Sequence, residues 1–316
     1  MATISWFENT IVDWANTGKQ YFLDGTVKQL WPYHYGFGDA AIVSNDGVYA
    51  FVYKRLATKG LLLKNGELLR EINRSYYCSD AYEYPAIFIT INKSTYLVHC
   101  PIAYNQLDFE DVESGELITN SKDRKPSDVF HSRLEISHDN SLLMSKGWYW
   151  HPLDVVNIFN IEDCIRAPTM LDNAKISDDM GTEICTASFI DSDKVLIGSS
   201  DEVYNDEDAK LPPKSIAIWD LKTNQISSPT AVNSEFGNLY SIDDDFAWDL
   251  YKYPKIINIK TGDIVDSEES VNSGTQRSSI IHSLDSHPQI IFNRETKQIA
   301  ISGKERIEVL TPELQY

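Results

Sequence analysis

The sequence predicts an all-β fold: a β-propeller of six to seven four-stranded antiparallel blades, seven favoured, with N-terminal strands completing closure. Three observations predict it. A hairpin phrase of apolar strand, polar turn and second apolar strand recurs along the chain. Its turns fall near residues 47, 93, 140, 193, 244 and 296, so successive spacings are 46, 47, 53, 51 and 52. A near-constant period of about 50 residues, made only of short strands, is the signature of stacked blades, none of which can bury both faces alone. Third, no helix of normal length is visible, and 17 Tyr, 12 Phe and 7 Trp against 4 Met suit strands.

The hairpins are read in order. Ala41–Val43 turns at Asp46-Gly47 into Val48–Val52, and Ile87–Ile89 turns at Asn92-Lys93 into Tyr96–Val98. Leu134–Ser137 turns at Asp139-Asn140 into Leu142–Met144, and Ala187–Ile190 turns at Ser192-Asp193 into Val195–Gly198. Leu239–Ile242 turns at Asp243-Asp244 into Phe246–Trp248, and Ile290–Phe292 turns at Glu295-Thr296 into Ile299–Gly303. Asp, Asn, Gly and Ser recur at these turns because they tolerate left-handed or locally hydrogen-bonded backbone.

After the hairpins comes an outer-strand phrase. Its fullest copy is Lys214–Asn224, KSIAIWDLKTN, a near-alternating strand closed by Trp219-Asp220 and a polar turn. Degraded copies stand at Leu61–Gly66, Leu107–Gly115, Val155–Asp163 and Ile256–Gly262. A strand ending on Trp-Asp resembles the close of a WD40-type repeat. That resemblance implies short antiparallel blades, a central channel and loop-built faces, and no particular partner. The N-terminus supplies a partial seventh unit: Ile4–Phe7, a turn at Glu8-Asn9, Thr10–Trp14, and Gln20–Gly25 as its outer strand. Residues 1–316 are read as one domain, with long connections at Asn120–Asp128, Arg166–Thr182 and Ser199–Lys214.

Composition narrows the function. Lys and Arg number 28 against 47 Asp and Glu, a net charge of −19. Residues 1–150 carry 14 basic and 18 acidic side chains, whereas 151–316 carry 14 and 29. Such a field disfavours direct binding to nucleic acid or an anionic membrane and favours a basic protein partner. No run of 18 apolar residues and no signal-peptide pattern is seen, so a cytoplasmic protein is expected. The scattered Cys78, Cys100, Cys164 and Cys185 then read as free thiols.

Chemistry-bearing motifs are absent. The seven histidines lack metal-ligand spacing, and there is no Gly-x-Ser-x-Gly, phosphate loop, Cys-x-x-Cys or His-Glu-x-x-His. Asp201–Asp208 and Asp243–Asp245 lack the register and glycine of a calcium loop. The reading is therefore non-enzymatic, without metal or cofactor. Abundant carboxylates keep a propeller hydrolase or lectin as an alternative.

Aromatic clusters beside acids point instead to protein contact. Trp148-Tyr149-Trp150 and Tyr251-Lys252-Tyr253 occupy equivalent places in their units. Tyr82-Glu83-Tyr84 is a related phrase. The loop after Ser199 carries Asp201, Glu202, Tyr204, Asp206, Glu207 and Asp208, and a second acidic run is Asp243, Asp244 and Asp245. Tyr and Trp dominate binding hot spots, and acids beside them steer a cationic partner. In charge and build the chain resembles a bacterial toxin immunity protein. The resemblance implies a monomer holding one basic toxin, such as a ribonuclease of contact-dependent growth inhibition, in a one-to-one complex. The alternative is a WD40-like scaffold or adaptor in a multi-protein complex.

Overall fold

The computed structural model describes residues 3–177, 180–204, 209–285, 287–303 and 305–314. Seven separate antiparallel sheets follow one another along the chain, the blades of a seven-bladed β-propeller. The chain divides into two compact units. Unit 1 comprises residues 1–120 and 288–311, and unit 2 comprises 121–287 and 312–316.

Unit 1 holds blades 1, 2, 3 and 7. Blade 1 is β1 (Ile4–Phe7), β2 (Thr10–Asp13), β3 (Lys19–Phe22) and β4 (Val27–Gln29). Blade 2 is β5 (Ala40–Val43), β6 (Tyr49–Tyr53), β7 (Lys59–Lys64) and β8 (Glu67–Asn73). Blade 3 has β9 (Ile87–Ile91), β10 (Ser94–His99) and β11 (Asp108–Asp111), with a single bridge from Glu110 to Leu117 in place of a fourth strand. In each the strands pair in sequence order, and the second strand is buried along most of its length, so its successive side chains fill both faces of the sheet. Gly47 shows what the predicted turns require. Its φ is +70°, and a Cβ there would stand 2.4 Å from the Phe7 ring of the neighbouring blade.

Blade 7 is β26 (Ile290–Phe292), β27 (Ile299–Ser302) and β28 (Ile307–Leu310). It meets blade 1 through side chains rather than a shared sheet. The buried Gln289 amide accepts from the Ile4 N–H at 3.0 Å and donates to the Ile4 carbonyl at 2.7 Å. Trp6 Nε1 donates to the Ile291 carbonyl, and Ile4, Ile11 and Ala300 form a shared apolar cluster. The N-terminal strands thus complete closure as a full blade of their own. Gln20–Phe22 lies in the third strand of this blade, and the fourth strand, β4, is short and exposed.

Unit 2 holds blades 4, 5 and 6. Blade 4 has β12 (Val129–Phe130), β13 (Glu135–Ile136), β14 (Leu142–Tyr149), β15 (Leu153–Asn160) and β16 (Lys175–Ile176). Both β12 and β13 pair with β14, as an innermost strand broken in two. Blade 5 has β17 (Thr182–Phe189), β18 (Lys194–Val203), β19 (Ser215–Asp220), β20 (Gln225–Ile226) and β21 (Thr230–Ala231), the last two both on β19. Blade 6 has β22 (Leu239–Ser241), β23 (Phe246–Asp249), β24 (Lys255–Asn258) and β25 (Ile264–Ser267). Two expectations need correction. The Val155–Asp163 phrase does not stay extended, because Asn160 caps a helix, α1 (Ile161–Arg166), by accepting from the Asp163 N–H at 2.9 Å. Ser199–Val203 is strand rather than loop, because β17 is long enough to pair β18 as far as Thr182 and Val203.

Trp219 belongs to an apolar core shared by blades 4 and 5. It is fully buried with Phe189, Val195, Ile197 and Ala217 of its own blade and Met144, Val156 and Ile158 of blade 4. Its Nε1 donates to Asn224 Oδ1 at 3.1 Å, so the polar turn after Trp-Asp satisfies the buried indole.

Candidate protein-binding surface

The strands of unit 2 have two ends, and the sequence-selected residues divide between them. Asp243–Asp245 precede β23, whereas Tyr251 and Tyr253 follow it. Trp150 follows β14, and Tyr204 follows β18. The first group lies at the hairpin-turn end of the blades and the rest at the opposite end. Asp206, Glu207 and Asp208 lie outside the described residues.

The aromatic end is half structural and half exposed. Trp148 is buried and stacks on Phe130, ring centroids 3.9 Å apart and planes 4° apart. Trp150 continues that stack at 5.9 Å from Trp148 but is 52% exposed, because it lies past the strand end, beyond cover. Tyr149 is partly buried, while Tyr204 is largely exposed. Tyr251 carries Arg277 at 5.5 Å and Lys252 at 5.0 Å over its ring, and Tyr253 carries Lys255 at 4.5 Å. The acids at this end are engaged internally. Asp201 pairs with Lys214 at 3.4 Å and Arg277 at 3.7 Å, and Glu235 pairs with Arg277 and Lys252. Asp201 and Glu235 are therefore each paired with cations of the same end.

The hairpin end keeps its excess. Asp191, Asp193, Asp220, Asp243, Asp244 and Asp245 gather there with three lysines. Lys194 pairs with Asp244 of the next blade at 3.0 Å, Lys222 with Asp193 at 2.6 Å and Lys260 with Asp245 at 2.5 Å. Three of the aspartates shape turns. Asp191 accepts from the Asp193 and Lys194 N–H groups, Asp243 from Asp245 and Phe246, and Asp220 from Thr223. Thr223 holds the Asp220 carboxyl below the usual carboxylate range, keeping it ionised. Asp193, Asp244 and Asp245 cap no turn, so their charges face solvent and their lysines.

Inside unit 2 a second set of carboxylates is buried. Asp154 accepts from the Ser279 N–H at 2.9 Å and from its hydroxyl, with the Arg133 guanidinium 4.0 Å away. Glu183 accepts from the Asp154 N–H at 2.8 Å and from the Ser200 hydroxyl. Burial raises both carboxyls above their ordinary range, and the charge of Asp154 raises Glu183 further. A carboxyl so raised stabilises the fold while protonated and loses that contribution as pH rises through its folded value. Glu183→Gln should therefore increase stability at pH 7, with the gain vanishing below about pH 4, where glutamate is largely protonated in both states. Urea unfolding of the two proteins at both pH values checks this.

Among the described residues no group of three or more His, Cys, Asp or Glu side chains is placed to hold a metal ion. All four cysteines are free, and only Cys78 is not buried. No helix among the described residues is long and apolar enough to cross a membrane.

Unit 1 carries an aromatic surface that the sequence reading missed. Tyr82 and Tyr84 are buried, and Arg74 lies over both rings at 4.4 and 4.9 Å. The Arg74 guanidinium donates to the carbonyls of Arg55, Ala57, Ser79, Tyr82 and Glu83, fixing the 75–84 connection from inside. On the outside of that connection Tyr76 is 85% exposed, and Tyr77 packs on Tyr104 at 4.9 Å beside exposed Ile102. The consecutive tyrosines Tyr76-Tyr77 after Arg74 were the available signal; they break the strand pattern without supplying a turn residue.

No protein-family model matches the chain, and no curated protein matches it. A chain of a solved structure described as the crystal structure of the mitotic checkpoint complex is similar in shape. It is 12% identical with a TM-score of 0.58, over 99% of this chain and 87% of that one. The seven blades and this likeness show one thing about the chain: it has the fold of a WD40-like β-propeller.

Proposed function

We propose that this protein is a non-enzymatic binding propeller that neutralises a basic protein, in the manner of a bacterial immunity protein holding a toxin. The observation that carries the reading is the hairpin-turn end of unit 2, where six aspartates stand against three lysines in a chain of net charge −19. A surface with an excess of negative charge raises the local concentration of a cationic partner and its association rate. The exposed Trp150 and Tyr204 at the opposite end supply rigid contact area to a partner large enough to reach both. A ribonuclease toxin of contact-dependent growth inhibition fits this chemistry, because its lysines and arginines are built to meet phosphate and accept carboxylates instead. The complex is one-to-one, and the working compartment is the cytoplasm.

A second reading, a scaffold in a multi-protein assembly, is favoured by the separate exposed aromatic surface of unit 1. It predicts several partners of moderate affinity.

Tagged protein should capture from its source cells, at low salt, one basic protein in equimolar amount whose activity is lost in the complex. Several neutral partners would overturn the inhibitor and leave the scaffold. The triple variant Asp193→Asn, Asp244→Asn and Asp245→Asn leaves the turn acceptors intact. It should slow association with the captured partner about tenfold at low ionic strength and barely change dissociation. An unchanged association rate would move the interface away from this end.

A further inference from the structure

Blade 7 differs from the other six in one respect. In those six the third strand is covered on its outer edge: β4 covers β3, β8 covers β7, β16 covers β15, β25 covers β24, and β20 and β21 together cover β19. In blade 3 the Asp111 N–H donates to the Glu116 carbonyl and the Ile118 N–H to the Phe109 carbonyl, so residues 116–118 do the same for β11. Among the described residues β28 pairs with β27 alone. Its outward N–H and C=O groups form an open row of the kind that templates another strand.

Beside that edge lies a cleft of about 550 Å³, between blades 1 and 7 within unit 1. Tyr21, Phe22 and Leu23 line it from blade 1, and Ile307 and Val309 from β28. Leu23 is 54% exposed, an uncovered apolar side chain at the cleft mouth. Successive residues of a strand face opposite sides. Ile307 and Val309 therefore point into the cleft, and Glu308 points to the other face.

We propose that the outer edge of β28 is a strand-addition site for an extended segment of another protein whose sequence alternates apolar, basic, apolar. The backbone row supplies the affinity common to such sites, and the side chains on either face supply selectivity. A residue placed opposite Glu308 shares its face, so a lysine or arginine there forms a cross-strand ion pair. The residues before and after it fall on the cleft side, against Ile307, Val309 and Leu23. Glu308 already pairs with Arg306, which lies just before β28; Glu308 is partly buried but that arginine is mostly exposed, and an ion pair with so exposed a partner is weak. A second copy of this chain is the poorer occupant. Its own β28 offers glutamate where a cation is wanted, and both copies carry a net charge of −19. The site depends on blade 7 and blade 1 only, so it stands or falls independently of the neutralising role of unit 2.

Fluorescence anisotropy with a labelled peptide Thr-Val-Lys-Val-Thr tests the inference on the intact protein. Saturable binding is expected below about 1 mM. Two N-methylated forms of the peptide, blocked at odd or at even amides, separate strand addition from adhesion by charge. Only one of the two should lose binding, because alternate amides of a strand face alternate neighbours. Glu308→Lys should weaken the unmodified peptide at least tenfold, and Leu23→Asp should do so as well. Absence of saturable binding would overturn the proposal. So would equal binding by both N-methylated forms, or an affinity unmoved by Glu308→Lys.

Discussion

Replacing Lys255 by methionine should destabilise the protein by about 3–5 kcal/mol at pH 7, as expected when one member of a buried ion pair is removed. Lys255 and Asp249 are both buried, with Nζ 2.9 Å from Oδ2. The ammonium also donates to the carbonyls of Tyr251 and Tyr253, while Asp249 accepts from the Gly237 and Tyr251 N–H groups. Even with this partner, burial holds Asp249 above the usual carboxylate range, since desolvation outweighs the attraction of Lys255. Without Lys255 the carboxyl would be raised further, and the folded state would favour its protonation. The penalty should accordingly shrink as pH falls towards 4, and the double variant with Asp249→Asn should recover part of it at pH 7. Chemical unfolding at both pH values measures this. A penalty independent of pH would mean that Lys255 acts by filling space. Because Lys255 ties the carbonyls of the 251–253 loop to the core, the single variant should also loosen Tyr251 and Tyr253, visible as faster amide exchange there.

Trp219→Ala is the second large effect expected, at about 3–5 kcal/mol. The indole is fully buried between blades 4 and 5, and its removal leaves a cavity that two rigid sheets are poorly placed to collapse into. Lys175 of blade 4 reaches over its ring at 5.7 Å and donates to the Leu221 carbonyl, so the loss touches the seam between the blades as well. Trp219→Phe should cost much less, roughly 1–2 kcal/mol, from lost volume and the lost bond to Asn224. Comparable penalties for the two would show that the hydrogen bond, not the packing, is what matters.

Both predictions begin from residues that the sequence displays openly, and the fold was legible for the same reason. A second strand of a blade is bordered on both sides and largely buried, so Tyr49–Tyr53 and Leu142–Met144 read as apolar runs beside predictable turns. Fourth strands were nearly silent. Val27–Gln29 and Ile264–Ser267 are exposed throughout and bordered on one side, so no alternation marks them. The switch to helix at Ile161 is set by one capping bond from Asn160, which a strand-like apolar run conceals. The site was less legible than the fold. Trp148 and Trp150 are two residues apart and belong to one stack, but only the second clears the strand end. Asp201 reads as free charge because the cations that engage it, Lys214 and Arg277, come from 13 and 76 residues away. Pairing across blades leaves no local trace.

The two hydrogen bonds of Gln289 to Ile4 have a consequence for how the chain is made. They join residues 285 positions apart. At ribosomal speeds of about 5–20 residues per second, the glutamine is synthesised roughly 15–60 s after its partner. During that interval the first blade has emerged with its inner edge unmatched, while all of residues 121–287 is produced and free to settle. Unit 1, interrupted in sequence, is therefore finished last although it is begun first. A nascent chain paused before residue 288 would carry an ordered middle and an unsealed beginning, the state in which this protein is most exposed to holdases and proteases.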